Sequence, residues 1–123
     1  MIGRITVDPI ARDRQRYDTE GDWHFTQKGD LAVFITDQPD WKVYACLAVH
    51  EIVEALLCRA QGVTCEQVDE WDMGHPEMEE PGDDPRAPYM HQHRIAMVIE
   101  RLLAYEMGVD MAGPLYRVNG HRA

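Results

Sequence analysis

His50, Glu51 and Glu54 interrupt an otherwise apolar run between Ala45 and Ala60. At helical spacing His50 and Glu54 share a face, while Glu51 lies one step round from His50 and three from Glu54. Ionisable groups in such surroundings need partners, because burial drives a charge to neutralise, to hydrogen-bond or to ligate a metal. Two histidines and one carboxylate commonly hold a divalent metal such as zinc and leave a position for water. His50 and Glu54, joined by His93 from a later segment, supply that composition. Glu51 is then placed to act as general base toward a water whose pKa the cation lowers to about 7. The competing reading is an i,i+4 hydrogen bond between His50 and Glu54 on a partly exposed face, with His93 on the surface.

Other side chains compete for the third ligand position. His93 falls on a stripe with Ala96, Met97, Glu100 and Ala104, whose small members permit a second helix to approach closely. His91, on the side of Ile95, Val98 and Leu102, is the alternative. Glu100, two turns beyond His93, suits either a carboxylate that orients an imidazole or a replacement ligand; otherwise it faces solvent beside Arg101 or Tyr105. Cys46 is four residues before His50, so a thiolate ligand is geometrically possible, although its apolar neighbours favour an inert core thiol. Tyr89 offers a phenolic donor to an oxyanion near the metal, or simple packing at a helix start.

The acidic stretch from Asp69 to Asp84 is a separate candidate. Asp69, Glu70 and Asp72, or Glu77, Glu79 and Glu80, offer oxygen ligands to a hard cation such as calcium, but lack the ligand spacing and central glycine of an EF-hand. A solvated loop is the plainer expectation, with His75 reaching a metal only if that loop folds back. The chain contains no serine and no glycine-rich phosphate loop, which excludes serine-hydrolase chemistry and P-loop phosphoryl transfer.

Several elements must position these groups. Ile2–Val7 has strand composition and is closed by Asp8-Pro9. Alternating Trp23 and Phe25, turn residues Gln27 to Asp30 and the apolar run Leu31–Thr36 predict a hairpin over 22–26 and 31–36. Asp40 is a good N-cap for a helix from Trp41 to Gln61, stopped by Gly62. Thr64 with Gln67 has the form of a capping box for a short helical turn within Val63–Asp72. Glycines, prolines and acids from Met73 to Pro88 predict an exposed loop. A second long helix is expected from Arg86, capped by Asp84 with Pro85 in its first turn, to Met107, with a core stripe of Ile95, Val98, Ile99, Leu102 and Leu103. Asp110–Tyr116 has the length for one more helical turn. The expected architecture is α+β: a β-hairpin or small three-stranded antiparallel sheet packed on two long helices.

At 123 residues the chain suffices for one domain over its whole length, 1–123. Twenty-two acidic against twelve basic residues give a formal charge of −10 and leave no basic stripe for a phosphate backbone, so nucleic-acid binding is not expected. No apolar stretch approaches the roughly 20 residues that span a bilayer, and the first twenty-five residues lack a secretion-signal pattern. Three cysteines without framework spacing fit reduced thiols. A cytoplasmic protein is therefore expected, without membrane partners.

The succession of strand hairpin, apolar helix carrying His50-Glu51-Ile52-Val53-Glu54, loop and second helix resembles the minimal core of zincin metallopeptidases. That family bears H-E-x-x-H on its active-site helix, a strand along the substrate cleft and a third ligand further along the chain. The layout covers roughly Asp22 to Met107, but only His50 and Glu51 match the motif, since Glu54 stands where the family has histidine. The resemblance implies a zincin-like fold and a zinc-dependent hydrolase acting on a peptide or protein substrate. Through Asp40-Trp41, the segment HEIVEALLC and Gly82 to Tyr89, the chain also resembles small uncharacterised proteins encoded by bacteriophages and prophages. That second resemblance implies no activity. The alternative function is a non-catalytic, acidic interaction protein of phage origin, able to form a homodimer, whose polar cluster is a buried structural network or structural metal site.

Overall fold

The computed structural model of the chain describes residues 2–110 and the backbone of two short paired strands, Arg117–Val118 and His121–Arg122. The expectation of a helical turn over Asp110–Tyr116 falls, beyond its first residue, outside the described residues. The class is α+β: a three-stranded mixed sheet and three α-helices.

Strand β1 (Ile5–Ile10), β2 (Gly21–Phe25) and β3 (Leu31–Thr36) form the sheet in the order β1-β3-β2. The β2–β3 hairpin is antiparallel, with Trp23 opposite Val33. The sheet is not purely antiparallel as expected, because β1 pairs parallel with β3, Ile5 with Leu31 and Ile10 with Thr36. Residues 11–20 make this possible by passing round the carboxyl end of β3, where Thr36 N–H donates to Glu20 O and Gln15 Nε2 to Phe34 O. β1 also runs through Asp8-Pro9 instead of ending there. A proline is tolerated on an edge strand, and β1 is one. β3 lies at the centre, which explains its unbroken apolar character, with Leu31, Val33 and Ile35 fully buried.

Helix α1 (Trp41–Ala60) begins where Asp40 accepts from Lys42 N–H and ends at Gly62, whose φ of +80° a side chain would resist. It packs against β2 and β3 on one side and α3 on the other. Val43, Leu47 and Ala55 join the sheet residues in the core. Helix α2 (Cys65–Gly74) is longer than the single turn expected, and its Thr64–Gln67 capping box is fully formed.

The third helix departs most from expectation. Asp84 does accept from Arg86 N–H, but the helix does not start there; α3 spans Met90–Glu106. Pro88 disfavours helical geometry at Ala87, so the chain makes turns until Tyr89. Nor does the predicted stripe enter the core. Val98 and Leu102 are each 64 % exposed and Ile95 and Ile99 are exposed too, with only Leu103 of that stripe packed against the core. The buried face instead carries Gln92, His93, Ala96, Glu100 and Ala104. Polar groups paired across α1 and α3 replace the expected apolar packing. Among the described residues, no helix is long and apolar enough to cross a membrane.

Arg16 ties the segment before β2 to α2. Its guanidinium meets both oxygens of buried Asp22, at 2.7 and 2.9 Å, and both of Asp69, at 2.8 and 3.0 Å. Arg16→Ala strands the Asp22 carboxylate and is expected to cost roughly 1–3 kcal/mol, since the arginine itself is part-exposed. Urea unfolding of the two proteins measures this, and an unchanged midpoint would show that the fork contributes nothing.

Candidate metal centre

The apolar character of α1 places His50, Glu51 and Glu54 against β2 and α3 rather than in water; each is at most 4 % exposed. α1 and α3 run antiparallel, so that His50 faces Glu100 and Glu54 faces His93. Fully buried Ala96 and Ala104 let the helices come this close. His50 Nε2 is 3.2 Å from Glu54 Oε2, and His93 Nδ1 is 3.0 Å from that same oxygen. The two rings meet edge to face, with centroids 4.9 Å apart. The three ligand atoms lie within 4.8 Å of one another, forming a buried cluster with the donor set to hold a metal ion.

The spacing can be tested against a cation. Metal–ligand bonds of about 2.0–2.1 Å at tetrahedral angles put neighbouring donors about 3.3 Å apart, close to the two separations observed. The far side of each imidazole is occupied as well. His50 Nδ1 lies 2.7 Å from Glu100 Oε1, and His93 Nε2 lies 3.4 Å from Asp83 Oδ1 and 3.9 Å from Glu80 Oε2. A neutral histidine that donates one N–H to a carboxylate presents the lone pair of its other nitrogen, the usual arrangement behind a metal-bound imidazole; without a cation, protonated rings direct those same nitrogens at Glu54 as donors. Glu80, Asp83 and His93 also bring ligand atoms within 4.8 Å of one another, but partly exposed and through His93 Nε2. A neutral imidazole has one lone pair, and the inner cluster is where a second imidazole converges with it.

Glu54 completes its bonding through Oε1, which accepts from Trp23 Nε1–H at 3.0 Å. Burial pushes the Glu54 carboxyl up, but hydrogen bonds from His50 and His93 outweigh it and hold the group well below its usual range. Burial likewise opposes an imidazolium at His50, yet Glu100 and Glu54 hold it well above an ordinary histidine. At His93 burial is outweighed by Asp83 and Glu54, raising it to about 9. Glu51 differs. Its Oε2 stands 3.8 Å from His50 Nε2, and it makes no hydrogen bond among the described residues; burial and the Glu54 charge hold its pKa well up.

Glu51 and Glu54 open onto a cavity of about 230 Å³, also lined by Tyr17, Asp22, Trp23 and Tyr89. Tyr89 is buried at the start of α3, where its hydroxyl donates to Asp72, which also accepts from Tyr17 at 3.0 Å. His91 is exposed on the opposite face of α3, away from the cluster. Cys46 is fully buried, and burial raises its thiol to about 11. In the acidic stretch Asp69 is bound by Arg16 and Asp72 by the two tyrosines, while the segment expected to be exposed folds back, with Gly82 buried and Pro81 O accepting from Trp71 Nε1–H. His75 follows it, its ring tilted against Trp71 with Nδ1 at the Trp71 carbonyl.

Four contributors escape sequence reasoning. Trp23 reads as a strand aromatic, although a buried indole N–H calls for an acceptor. Asp83 reads as one acid among many in the loop. Gly21 and Gly82 read as chain punctuation, whereas a Cβ at Gly21 would lie 2.8 Å from Glu51 Cδ and one at Gly82 2.7 Å from His93 Cγ. No family model matches the chain, and no curated protein or solved structure is significantly similar to it.

Two outcomes follow from these contacts. Gly82→Ala forces the His93 ring or the turn beneath it to move, and a loss of roughly 1–3 kcal/mol in chemical unfolding is expected; a variant as stable as the parent would show that the turn gives way freely. Burial raises the Asp72 carboxyl from 3.8 to about 6, and the Tyr89 hydroxyl restrains the rise. Because the folded value exceeds the unfolded one, this group contributes most to stability below about pH 4 and its contribution is lost as pH rises through 6. Tyr89→Phe should move the Asp72 midpoint higher still in a carbon-13 NMR titration; a downward shift would reverse the assignment.

Proposed function

We propose that the chain is a metal-dependent hydrolase with a zincin-like core, acting on a peptide or amide bond. One observation carries this: two imidazole nitrogens and a carboxylate oxygen converge in a buried cluster while the remote nitrogen of each ring is already backed by a carboxylate. His50, Glu54 and His93 would hold the cation, and two nitrogens with one oxygen favour zinc. A divalent metal supplies Lewis-acid polarisation of a carbonyl and a lowered pKa for water.

The chain's own groups then divide the work. Glu51 reaches the cavity with no hydrogen bond among the described residues and, in its ionised form, would accept the proton of an attacking water. Glu100 and Asp83 fix the tautomers of His50 and His93. Trp23 N–H holds Glu54 so that one oxygen faces the two rings. Gly21, Asp22 and Trp23 bring strand β2 to the wall of the cavity, where a substrate would be received. A phage origin fits the reading but adds nothing to the chemistry.

The second reading is an interaction protein whose cluster is structural, and it is favoured by how completely His50, Glu54, His93 and Glu100 satisfy one another. Zinc titration of the tag-free protein separates the two. The hydrolase reading expects one equivalent bound, loss of binding in His50→Ala, and a decrease in affinity of about 10–100-fold in Glu100→Gln. Glu51→Gln should keep the metal and lose about 10²–10⁴-fold in peptide hydrolysis. A wild-type protein that binds no zinc ends the metal reading; one that binds zinc but cleaves no peptide leaves the structural site.

A further inference from the structure

Helix α3 turns apolar side chains outward from Ile95 to Tyr105. Val98 and Leu102 are each 64 % exposed, Tyr105 is 75 % exposed, and Ile95 and Ile99 lie beside them. His91, Ile95, Val98, Leu102 and Tyr105 follow one another at alternating intervals of four and three residues. That is the spacing of the a and d positions in a two-helix seam. His93 and Glu100 fall on the f positions of the same register, diametrically opposite, where they meet α1.

We propose that this face of α3 pairs with the same face of a second copy of the chain, in a parallel two-fold seam. The orientation follows from charge. With Ile95 and Leu102 at a, and His91, Val98 and Tyr105 at d, the flanking g positions are Arg94 and Arg101 and the e positions are Gln92, which is buried and bonded to Gln61, Ile99 and Glu106. In a parallel pair each g residue faces the e residue five positions on in the other helix. Arg101 therefore meets Glu106 of the second copy, twice by symmetry, and the stem of Arg94 covers Ile99. An antiparallel pair would set Arg94 against Arg101, like charge against like.

The occupant is a second copy because the face is self-complementary, as a two-fold contact requires. A chain of net charge −10 repels itself over most of its surface, but this stripe carries Arg94 and Arg101 against a single Glu106. Two heptads are short for an isolated coiled coil. Here the helix is already folded against α1, so pairing does not bear the cost of helix formation. The seam leaves the cavity open, since that lies beyond the other face of α3, and it does not depend on the hydrolase reading.

Sedimentation equilibrium of the full chain over a concentration series tests the seam. A reversible monomer–dimer equilibrium is expected, abolished by Val98→Glu with Leu102→Glu at unchanged helical circular dichroism. Both positions are exposed, so folding is not at stake. Arg101→Glu should weaken the dimer roughly tenfold, and adding Glu106→Arg should restore it. Leu102→Cys, placed against its own counterpart, should oxidise to a disulfide-linked dimer. A wild type that is monomeric throughout, or a dimer indifferent to the two glutamates, overturns the proposal. So does a monomer that the glutamates destabilise, because the face would then be covered from within its own chain. A dimer strengthened by Arg101→Glu would overturn the parallel orientation.

Discussion

A carboxylate held between two imidazoles in a buried helix–helix interface is the constraint from which the rest of this structure follows. Glu54 cannot remain ionised there alone, and its two oxygens are spent on three donors: Trp23 on one, His50 and His93 on the other. Each donor then needs an element to carry it and a partner behind it. β2 brings the indole, α1 the first ring and α3 the second. Glu100 and Asp83 complete the rings. The same need explains why Ala96 and Ala104 are fully buried where large apolar residues would ordinarily sit. Bulk on that side of α3 would hold the helices too far apart for Glu54 to reach His93.

Spending the inner face of α3 on polar contacts leaves its apolar residues to the outside. This is a reversal of the usual amphipathic helix, in which the apolar stripe faces the core. Helix stability here comes from satisfied charges and close backbone approach, with Met97 and Leu103 contributing apolar contact at the margins. A polar network of this kind is strong only when complete, because each missing partner leaves a desolvated group behind. Gly21 and Gly82 belong to that completeness as much as any hydrogen bond, since they give Glu51 and His93 the space to stand where they do.

Much of the fold was legible because local signals and tertiary demands agree. Asp40 and Gly62 bracket α1 as their capping chemistry requires, Thr64 with Gln67 starts α2, and Gln27 to Asp30 turns the hairpin. The convergence of His50, Glu54 and His93 could also be read, from i,i+4 spacing and from small residues beside His93. Two of the failures share one cause. The outward stripe of α3 and the parallel register of β1 are set by what the segments meet in space, and periodicity does not report the neighbour. Pro88 was a visible stop for the earlier helix start. Asp83, Trp23 and the two glycines carried signals too weak to separate from ordinary loop and strand composition.

The central claim is that the two imidazoles and the Glu54 carboxylate converge because they jointly hold a cation. Crystals of the zinc-loaded protein, measured on either side of the zinc absorption edge, test this most directly. An anomalous peak bonded to His50 Nε2, Glu54 Oε2 and His93 Nδ1, at about 2.0–2.2 Å from each, is the predicted result. A fully loaded crystal whose zinc sits elsewhere, with Glu54 still hydrogen-bonded to both rings, would contradict it and leave a closed network of buried charges.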